Sequence, residues 1–263
     1  MSRFVAVAWA LAQREMIRFF RQRSRLLGAC LQPLVFWLLV GGGFSSSFRP
    51  GGTSGGPGYV EYLYPGILAM AVLFTAIFST IAVVEDRRAG FLQAILVSPA
   101  PRSAVIIGQA WGASMLALME GILLLSLAPV AGIALSFRSA AAAILVMGSM
   151  AFGLTGLGLL LAWRLETTQG FHAIMNLAMM PMWMLSGALF PASGAPEWLA
   201  PIMRVNPMTY GLAALRRALY DGGAGHAGLL NGVPPMTVSI LAMLLFAAIT
   251  LSLASVLARR ASA

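Results

Sequence analysis

Six long apolar stretches are the feature that most constrains this chain. Each is close to the 20 residues or so with which a helix crosses about 30 Å of hydrocarbon. Because backbone polar groups inside a bilayer must be bonded internally, each stretch is predicted to be a transmembrane α-helix. With 59% hydrophobic and only 10% charged residues, the chain holds more apolar surface than a soluble domain can bury. We therefore predict an all-α membrane protein with one transmembrane domain over 1–263. The predicted transmembrane helices are 26–44, 63–84, 104–128, 139–163, 171–190 and 236–257.

The arginines indicate how these six helices are oriented. Lysine is absent, and all 17 positive charges are arginines. With the N-terminus in the cytoplasm, 12 of them lie on the cytoplasmic side and five on the other. This bias predicts that both termini are cytoplasmic, although Arg216 and Arg217 lie in a long external segment where the rule has less force. Arginines placed between apolar runs also favour membrane lipid, and not nucleic acid, as the partner.

The first 25 residues are predicted to form an amphipathic helix on the inner leaflet. At about 100° per residue, arginines and apolar residues fall on opposite faces of this helix. It could serve as an anchor and topology signal, or it could contact a cytoplasmic partner. The basic face holds Arg3, Arg14, Arg18, Arg21 and Arg25, and the apolar face holds Val5, Trp9, Ala12, Met16 and Phe20.

The loop 85–103, EDRRAGFLQAILVSPAPRS, is dense in both charged and apolar residues. Its central part, Ala89 to Val97, is predicted to be a short helix that Pro99 and Pro101 stop. A helix lying across the inner face of a membrane offers a docking surface for another protein. The alternative is an amphipathic connector that rests on lipid.

This sequence lacks the residues that several kinds of chemistry require. A P-loop needs a lysine to reach nucleotide phosphates, and a Schiff-base enzyme needs its amine. His172 and His226 stand far apart without a metal-binding motif, so neither a metal site nor a catalytic residue is predicted. We expect a chain that is not an enzyme and holds no cofactor of its own.

Four ordered motifs resemble the permease subunits of type-two ATP-binding-cassette (ABC) exporters, in particular the drug-resistance and nodulation-factor branch. The motifs are YLYPGILAMAVLF at 62–74, the loop 85–103, PMWMLSGALFP at 181–191 and RVNPMTYGLAALR at 204–216. The resemblance implies that the loop after the second transmembrane helix carries a coupling helix that docks on a separate ATPase. It also implies that the segment 191–235 forms short external, re-entrant helices between the fifth and sixth transmembrane helices.

The resemblance further implies a set of partners and a location. Two copies of an ABC ATPase subunit, which bind ATP and Mg²⁺, would act with two permease copies, a homodimer unless a paired permease makes it a heterodimer. The complex would lie in the bacterial inner membrane as a multi-pass exporter of a lipophilic small molecule, drug, lipid or glycoconjugate, as in multidrug efflux. The coupling residues carried over are Glu85, Arg87, Arg88, Gly90, Phe91, Leu92, Leu96, Pro99 and Arg102.

Residues that could line the transport pathway lie in the third and fifth apolar stretches. Glu120 is deep in the third, where a charged carboxylate costs about 2.5–3.5 kcal/mol, so it serves either the pathway or a buried hydrogen bond. Met179, Met180 and Pro181 lie in a methionine-rich stretch that could form an adaptable apolar wall or simply fill the core. Pro181 is also expected to kink its helix. The external gate candidates are Pro191, Trp198, Asn206, Pro207 and Tyr210, with Trp198 and Tyr210 alternatively acting as interfacial anchors.

Two other functional classes compete with an exporter permease. A stand-alone secondary transporter would need several coupled charges within the membrane and usually inverted repeats, whereas only Glu120 is deep in an apolar stretch. An intramembrane enzyme would need a paired-carboxylate or histidine-rich site. Gly108 and Gly112 form a G-x-x-x-G pair, which predicts close helix packing.

Overall fold

The computed structural model describes residues 3–44, 58–91, 102–191, 195–220, 227–230 and 232–260. Throughout these ranges the regular structure is helical, so the all-α prediction is confirmed. One π-helical turn, Trp37–Gly41, continues the helix that ends at Phe36 and leads to Phe44, and another, Met184–Ala188, follows the helix that ends at Trp183. The helices are α1 (Arg3–Arg21), α2 (Arg23–Phe36), α3 (Tyr59–Ser79), α4 (Ile81–Arg88), α5 (Arg102–Leu125), α6 (Phe137–Ala162), α7 (Thr168–Trp183), α8 (Ala200–Val205), α9 (Pro207–Tyr220) and α10 (Met236–Arg260).

Five helical segments in the described residues are long and apolar enough to cross a membrane. The fifth predicted stretch, 171–190, is not among them. It corresponds to α7, whose 16 residues rise about 24 Å before the π-helical turn begins. The five segments are Leu27–Phe44, Tyr59–Arg88, Ser103–Leu125, Phe137–Ala162 and Met236–Ala258.

Helix α3 is the centre of the bundle. It is apolar on all sides, and 17 of its 21 residues are buried between α2, α5, α6, α7 and α9. Helices α2 and α10 lie at the periphery, where Leu38, Leu39 and Leu241 are among the side chains left largely exposed. A leucine-covered outer surface is what a lipid-facing helix requires, because hydrocarbon and not protein then covers the side chains.

Helix α1 packs across α5 at two glycines. A β-carbon on Gly108 would lie 2.7 Å from the carbonyl oxygen of Ala8, and one on Gly112 would lie 3.0 Å from Cβ of Glu15. Only glycine allows the two backbones to approach so closely. The close packing predicted from this G-x-x-x-G pair is thus confirmed, and its partner is the amphipathic N-terminal helix.

Helix α7 continues through Pro181 as an α-helix. The irregularity comes later, in the π-helical turn, where Gly187 adopts φ +90°. Such a left-handed conformation favours glycine, because a β-carbon would crowd the following carbonyl. The helical backbone is therefore broken at Gly187, six residues after the proline at which the sequence predicts a kink.

Candidate coupling site

Acidic residues at the end of α4 join it to α1. Both terminal guanidinium nitrogens of Arg14 donate to the Asp86 carboxylate, at 2.6 and 2.7 Å. Arg18 donates to Asp86 at 3.2 Å and also to Glu85. Asp86 is only 4% exposed, whereas about a third of the Arg14 side chain is open to solvent. We call Arg14, Arg18, Glu85 and Asp86 the acidic junction.

The paired geometry of the acidic junction makes it a firm connection. Two parallel hydrogen bonds between a guanidinium and a carboxylate fix orientation as well as distance. The hydrogen bond that Arg14 donates to Asp86 raises the pKa of the arginine, because it favours the charged guanidinium. Removing Arg14 would leave the buried Asp86 carboxylate with less positive charge beside it, because only Arg18, which lies farther away, would remain.

The two arginines that follow the acids bind the end of α6. Arg87 donates to the carbonyl oxygens of Ala162, the last residue of α6, at 3.4 Å, and of Trp163, its C-cap, at 3.1 Å. It also donates to the carbonyl oxygen of Leu165, just beyond the helix, at 3.2 Å. Arg88 donates to the carbonyl oxygen of Glu166 at 3.1 Å. The last carbonyls of a helix have no partner within it and carry partial negative charge, so arginines are favourable there. We call these contacts the α6 cap.

Gly90 and Phe91 lead from α4 into the remainder of the loop. Gly90 has φ +74°, the left-handed conformation with which glycine commonly ends a helix. Ala89 and Gly90 therefore form a turn, and the short helix predicted from Ala89 does not begin there. The Phe91 ring lies 4.0 Å beneath the guanidinium of Arg14, which adds a cation–π contact to the acidic junction.

The other predicted coupling residues are placed only in part. Leu92, Leu96 and Pro99 lie outside the described residues, as does the rest of the predicted short helix. Arg102 is the first residue of α5. The loop 92–101 is therefore bounded by α4 on one side and α5 on the other. The end of α4, which precedes this loop, is fastened to α1 by the acidic junction and to α6 by the α6 cap.

Glu120 lies at the contact between α5 and α3. The Thr75 hydroxyl donates to one of its carboxylate oxygens, and the other oxygen, Oε1, is buried with no hydrogen-bond partner among the described residues. Thr75 also borders a cavity of about 240 Å³ between α1, α2, α3 and α7. Gln32, Ser79 and His172 add polar atoms to an otherwise apolar wall. Glu120 thus stands directly behind a cavity-lining residue.

The four pathway candidates do not share one surface. Met179 is fully buried in the core, whereas Met180 on the same helix is 40% exposed. Pro181 borders a separate, apolar groove formed with Ile202 and Val205. None of the three lines the cavity beside Thr75.

At the Gly187 end of the bundle, the gate candidate Asn206 joins the start of α9 to α7. The Asn206 amide donates to the carbonyl oxygen of Met182 at 2.6 Å, and its own oxygen accepts from the backbone of Met208. Pro207 is the first residue of α9, where a missing amide hydrogen costs nothing.

The remaining gate candidates are less engaged. Tyr210 donates to the carbonyl oxygen of Arg204 at 2.8 Å. Trp198 is 70% exposed, and Pro191 is partly buried in an irregular segment after the π-helical turn.

A buried network around Gly187 was not anticipated from the sequence. Its carbonyl oxygen accepts from the Tyr62 hydroxyl at 2.9 Å and from Arg216 at 2.7 Å. Arg216 is 5% exposed and stacks over the Tyr62 ring at 4.4 Å. Tyr220, whose pKa burial raises, donates to the carbonyl oxygen of Glu61. Arg216 therefore binds α9 to α3 and to the π-helical turn.

Comparisons with known proteins find a family model and several relatives that match this chain. The family model described as ABC-2 type transporter matches residues 6–220. A putative transport permease of Cyanophora paradoxa is 28% identical over 216 residues, which cover 81% of this chain and 74% of that protein. Nodulation protein J of Sinorhizobium fredii is 27% identical over 211 residues, 78% of each chain.

A third relative confirms the drug-resistance side of the resemblance. A daunorubicin resistance ABC transporter permease protein of Streptomyces coeruleorubidus is 24% identical over 251 residues, which cover 86% of this chain and 83% of that protein. Residues 6–220, which the family model matches, contain the acidic junction, the α6 cap and the network around Gly187. On these grounds the chain belongs to the ABC-2 type transporter family.

Proposed function

We propose that this chain is the membrane-spanning permease of an ATP-driven exporter and that a separate ATPase subunit docks on the loop 85–103. The observation that carries the proposal is the double fastening of this loop's first end. The acidic junction ties it to α1, and the α6 cap ties it to the end of α6. A displacement of the loop by a closing ATPase would therefore move three helices together.

The proposed arrangement in the membrane has six spans with both termini in the cytoplasm. Helix α7 with its π-helical turn supplies the sixth span, in addition to the five long apolar segments. This arrangement puts the acidic junction on the cytoplasmic side, where an ATPase can reach it. The Gly187 network then lies at the outer end, where α8 and α9 form the external segment.

The working complex is proposed to contain two permease copies and two ATPase subunits, which bind ATP and Mg²⁺. One copy supplies a single docking loop, and paired ATPases would need two. Such a complex fits the inner membrane of a bacterium. The permease itself forms and breaks no bond; its residues convert the loop's movement into a change in helix packing.

The proposed cargo is a lipophilic molecule that passes between helices. The cavity bordered by Thr75 is mostly apolar, with a few polar atoms and Glu120 behind it, which suits an amphiphilic compound carrying a positive charge. Daunorubicin, named in the description of one relative, is therefore a suitable probe.

Reconstitution tests this proposal. Proteoliposomes with the permease and its ATPase should accumulate daunorubicin when ATP is supplied, and vesicles with either protein alone should not. Transport by the purified permease alone, driven by an ion gradient, would instead establish a secondary transporter and overturn the proposal.

A further inference from the structure

Helix α1 and the nearby part of α5 form an exposed apolar groove. Its wall includes two tryptophans, Trp9 at 61% exposure and Trp111 at 46%, together with Phe20 at 49%. Met16 and Met115 complete the wall between them. Exposed aromatic and methionine side chains in one groove form an adaptable apolar surface that water covers poorly.

A basic groove lies beside the apolar one on the same helix. It contains Arg14 and Arg18, and the two grooves share Gln13, Ile17 and Arg21 along their common edge. An occupant of both would place an apolar part against the tryptophans and a polar, negatively charged part against Arg21. Phospholipids with an anionic headgroup combine these two parts in one molecule.

The charges in the basic groove indicate which arginine would bind the headgroup. Arg14 and Arg18 are held by the acidic junction, so their charges are largely compensated by Asp86 and Glu85. Arg21 is exposed and makes no ion pair with the part of the chain that the structure describes. It is therefore the cation in this groove that is available to a phosphate.

We propose that these adjoining grooves hold one anionic phospholipid, with its phosphate at Arg21 and Gln13 and an acyl chain along Trp9 and Trp111. The Gly108–Gly112 packing fixes α1 against α5 and so keeps both walls of the apolar groove in place. The lipid fills the groove at the point where α1 is joined to the loop 85–103. It is a resident ligand of the permease and distinct from the transported cargo.

Lipid binding does not depend on transport, so it can be tested without an ATPase. The purified chain is placed in mixed micelles that contain brominated phosphatidylglycerol or brominated phosphatidylcholine at the same mole fraction, and tryptophan quenching is recorded. Trp9→Phe and Trp111→Phe identify the quenched groups. Arg21→Gln tests the headgroup contact, with Arg138→Gln, an exposed arginine at the start of α6, as the matched control.

Brominated phosphatidylglycerol is expected to quench Trp9 and Trp111 more strongly than brominated phosphatidylcholine does. Arg21→Gln should lower this preference for the anionic lipid about fivefold, as expected for one arginine near a lipid surface. Arg138→Gln should leave the preference unchanged. Equal quenching by both lipids, or an unchanged preference in Arg21→Gln, would overturn the proposal. So would protection of both tryptophans from either lipid by a second permease copy or by the ATPase, because a protein would then occupy the groove.

Discussion

Arg14 donates two hydrogen bonds to the Asp86 carboxylate, at 2.6 and 2.7 Å, although 72 positions separate the two residues in the sequence. The contact places the N-terminal helix against the end of the helical segment that opens the loop 85–103. Since Gly108 and Gly112 fix the same helix on α5, α1 connects both helices that bound this loop. An N-terminal helix with these contacts can take part in coupling as well as anchoring.

We expect Arg14→Gln and Asp86→Asn each to lower the free energy of unfolding by about 2–3 kcal/mol. Breaking a buried ion pair commonly costs more, but Arg14 is partly exposed and Arg18 remains near Asp86. Because the two residues contact each other, the double variant should lose less than the sum of the single losses. Thermal unfolding in detergent measures this, with Arg138→Gln as control, and strictly additive losses would argue against a direct contact.

Gly90→Ala should strain the turn that ends α4. A β-carbon at φ +74° costs about 1–2 kcal/mol, and the turn would shift the start of the loop to relieve it. We expect less of the transported compound to be moved per ATP hydrolysed, with normal amounts of protein in the membrane. Gly90→Asn should restore part of the coupling, because asparagine tolerates this conformation.

Gly148→Ala serves as the control for Gly90→Ala, since it adds a methyl group to open space within α6. Equal coupling in Gly90→Ala and the wild-type chain would mean that the conformation of this turn is unimportant for energy transfer.

Glu120→Gln should reduce transport of cationic compounds several-fold more than transport of neutral ones. It removes the carboxyl group that can carry a negative charge behind the Thr75 cavity, while keeping the shape of the side chain. Efflux of a panel of cationic and neutral compounds measures the difference. Unchanged transport of the whole panel would leave Glu120 with a structural role only.

Tyr62→Phe should cost about 1 kcal/mol of stability, the value of one buried hydrogen bond. Arg216→Ala should cost more, because it removes a second bond to the Gly187 carbonyl oxygen and the contact with the Tyr62 ring. Unfolding in detergent is again the measurement, and Arg204→Gln on the exposed face of the same segment is the control. A cost for Arg216→Ala no larger than that of the control would show that the network contributes little.

Apolar length was sufficient to predict an all-α chain and its five long apolar helical segments, because a bilayer permits few alternatives. Packing partners were harder to predict. Gly108 and Gly112 indicate a close contact without identifying the helix that makes it, and that helix proved to be α1. The irregularity at Gly187 was missed because a proline six residues earlier is the stronger sequence signal for a kink.

The candidate site was predicted unevenly for similar reasons. Glu85 to Phe91 are recognisable as a local motif, whereas Arg14 and Arg18 contribute through contacts with residues far away in the sequence. These two arginines lie one helical turn apart in the sequence. Such a spacing is as typical of a basic surface that faces lipid as it is of a contact with acidic residues of the protein. Arg216 counted as a weak exception to the charge bias, but it is a buried structural residue. No local sequence pattern distinguishes a buried structural arginine from one that orients the chain in the membrane.

Cross-linking at Phe91 is the most direct test of the proposed coupling site. The chain has a single cysteine, so Cys30→Ser gives a background in which Phe91→Cys, or Phe137→Cys at an exposed position in α6, carries the only thiol. Treated with a short bifunctional reagent in the presence of the ATPase, Phe91→Cys should form a permease–ATPase adduct and Phe137→Cys should not. No adduct from Phe91→Cys, or equal adducts from both positions, would contradict docking at the loop 85–103.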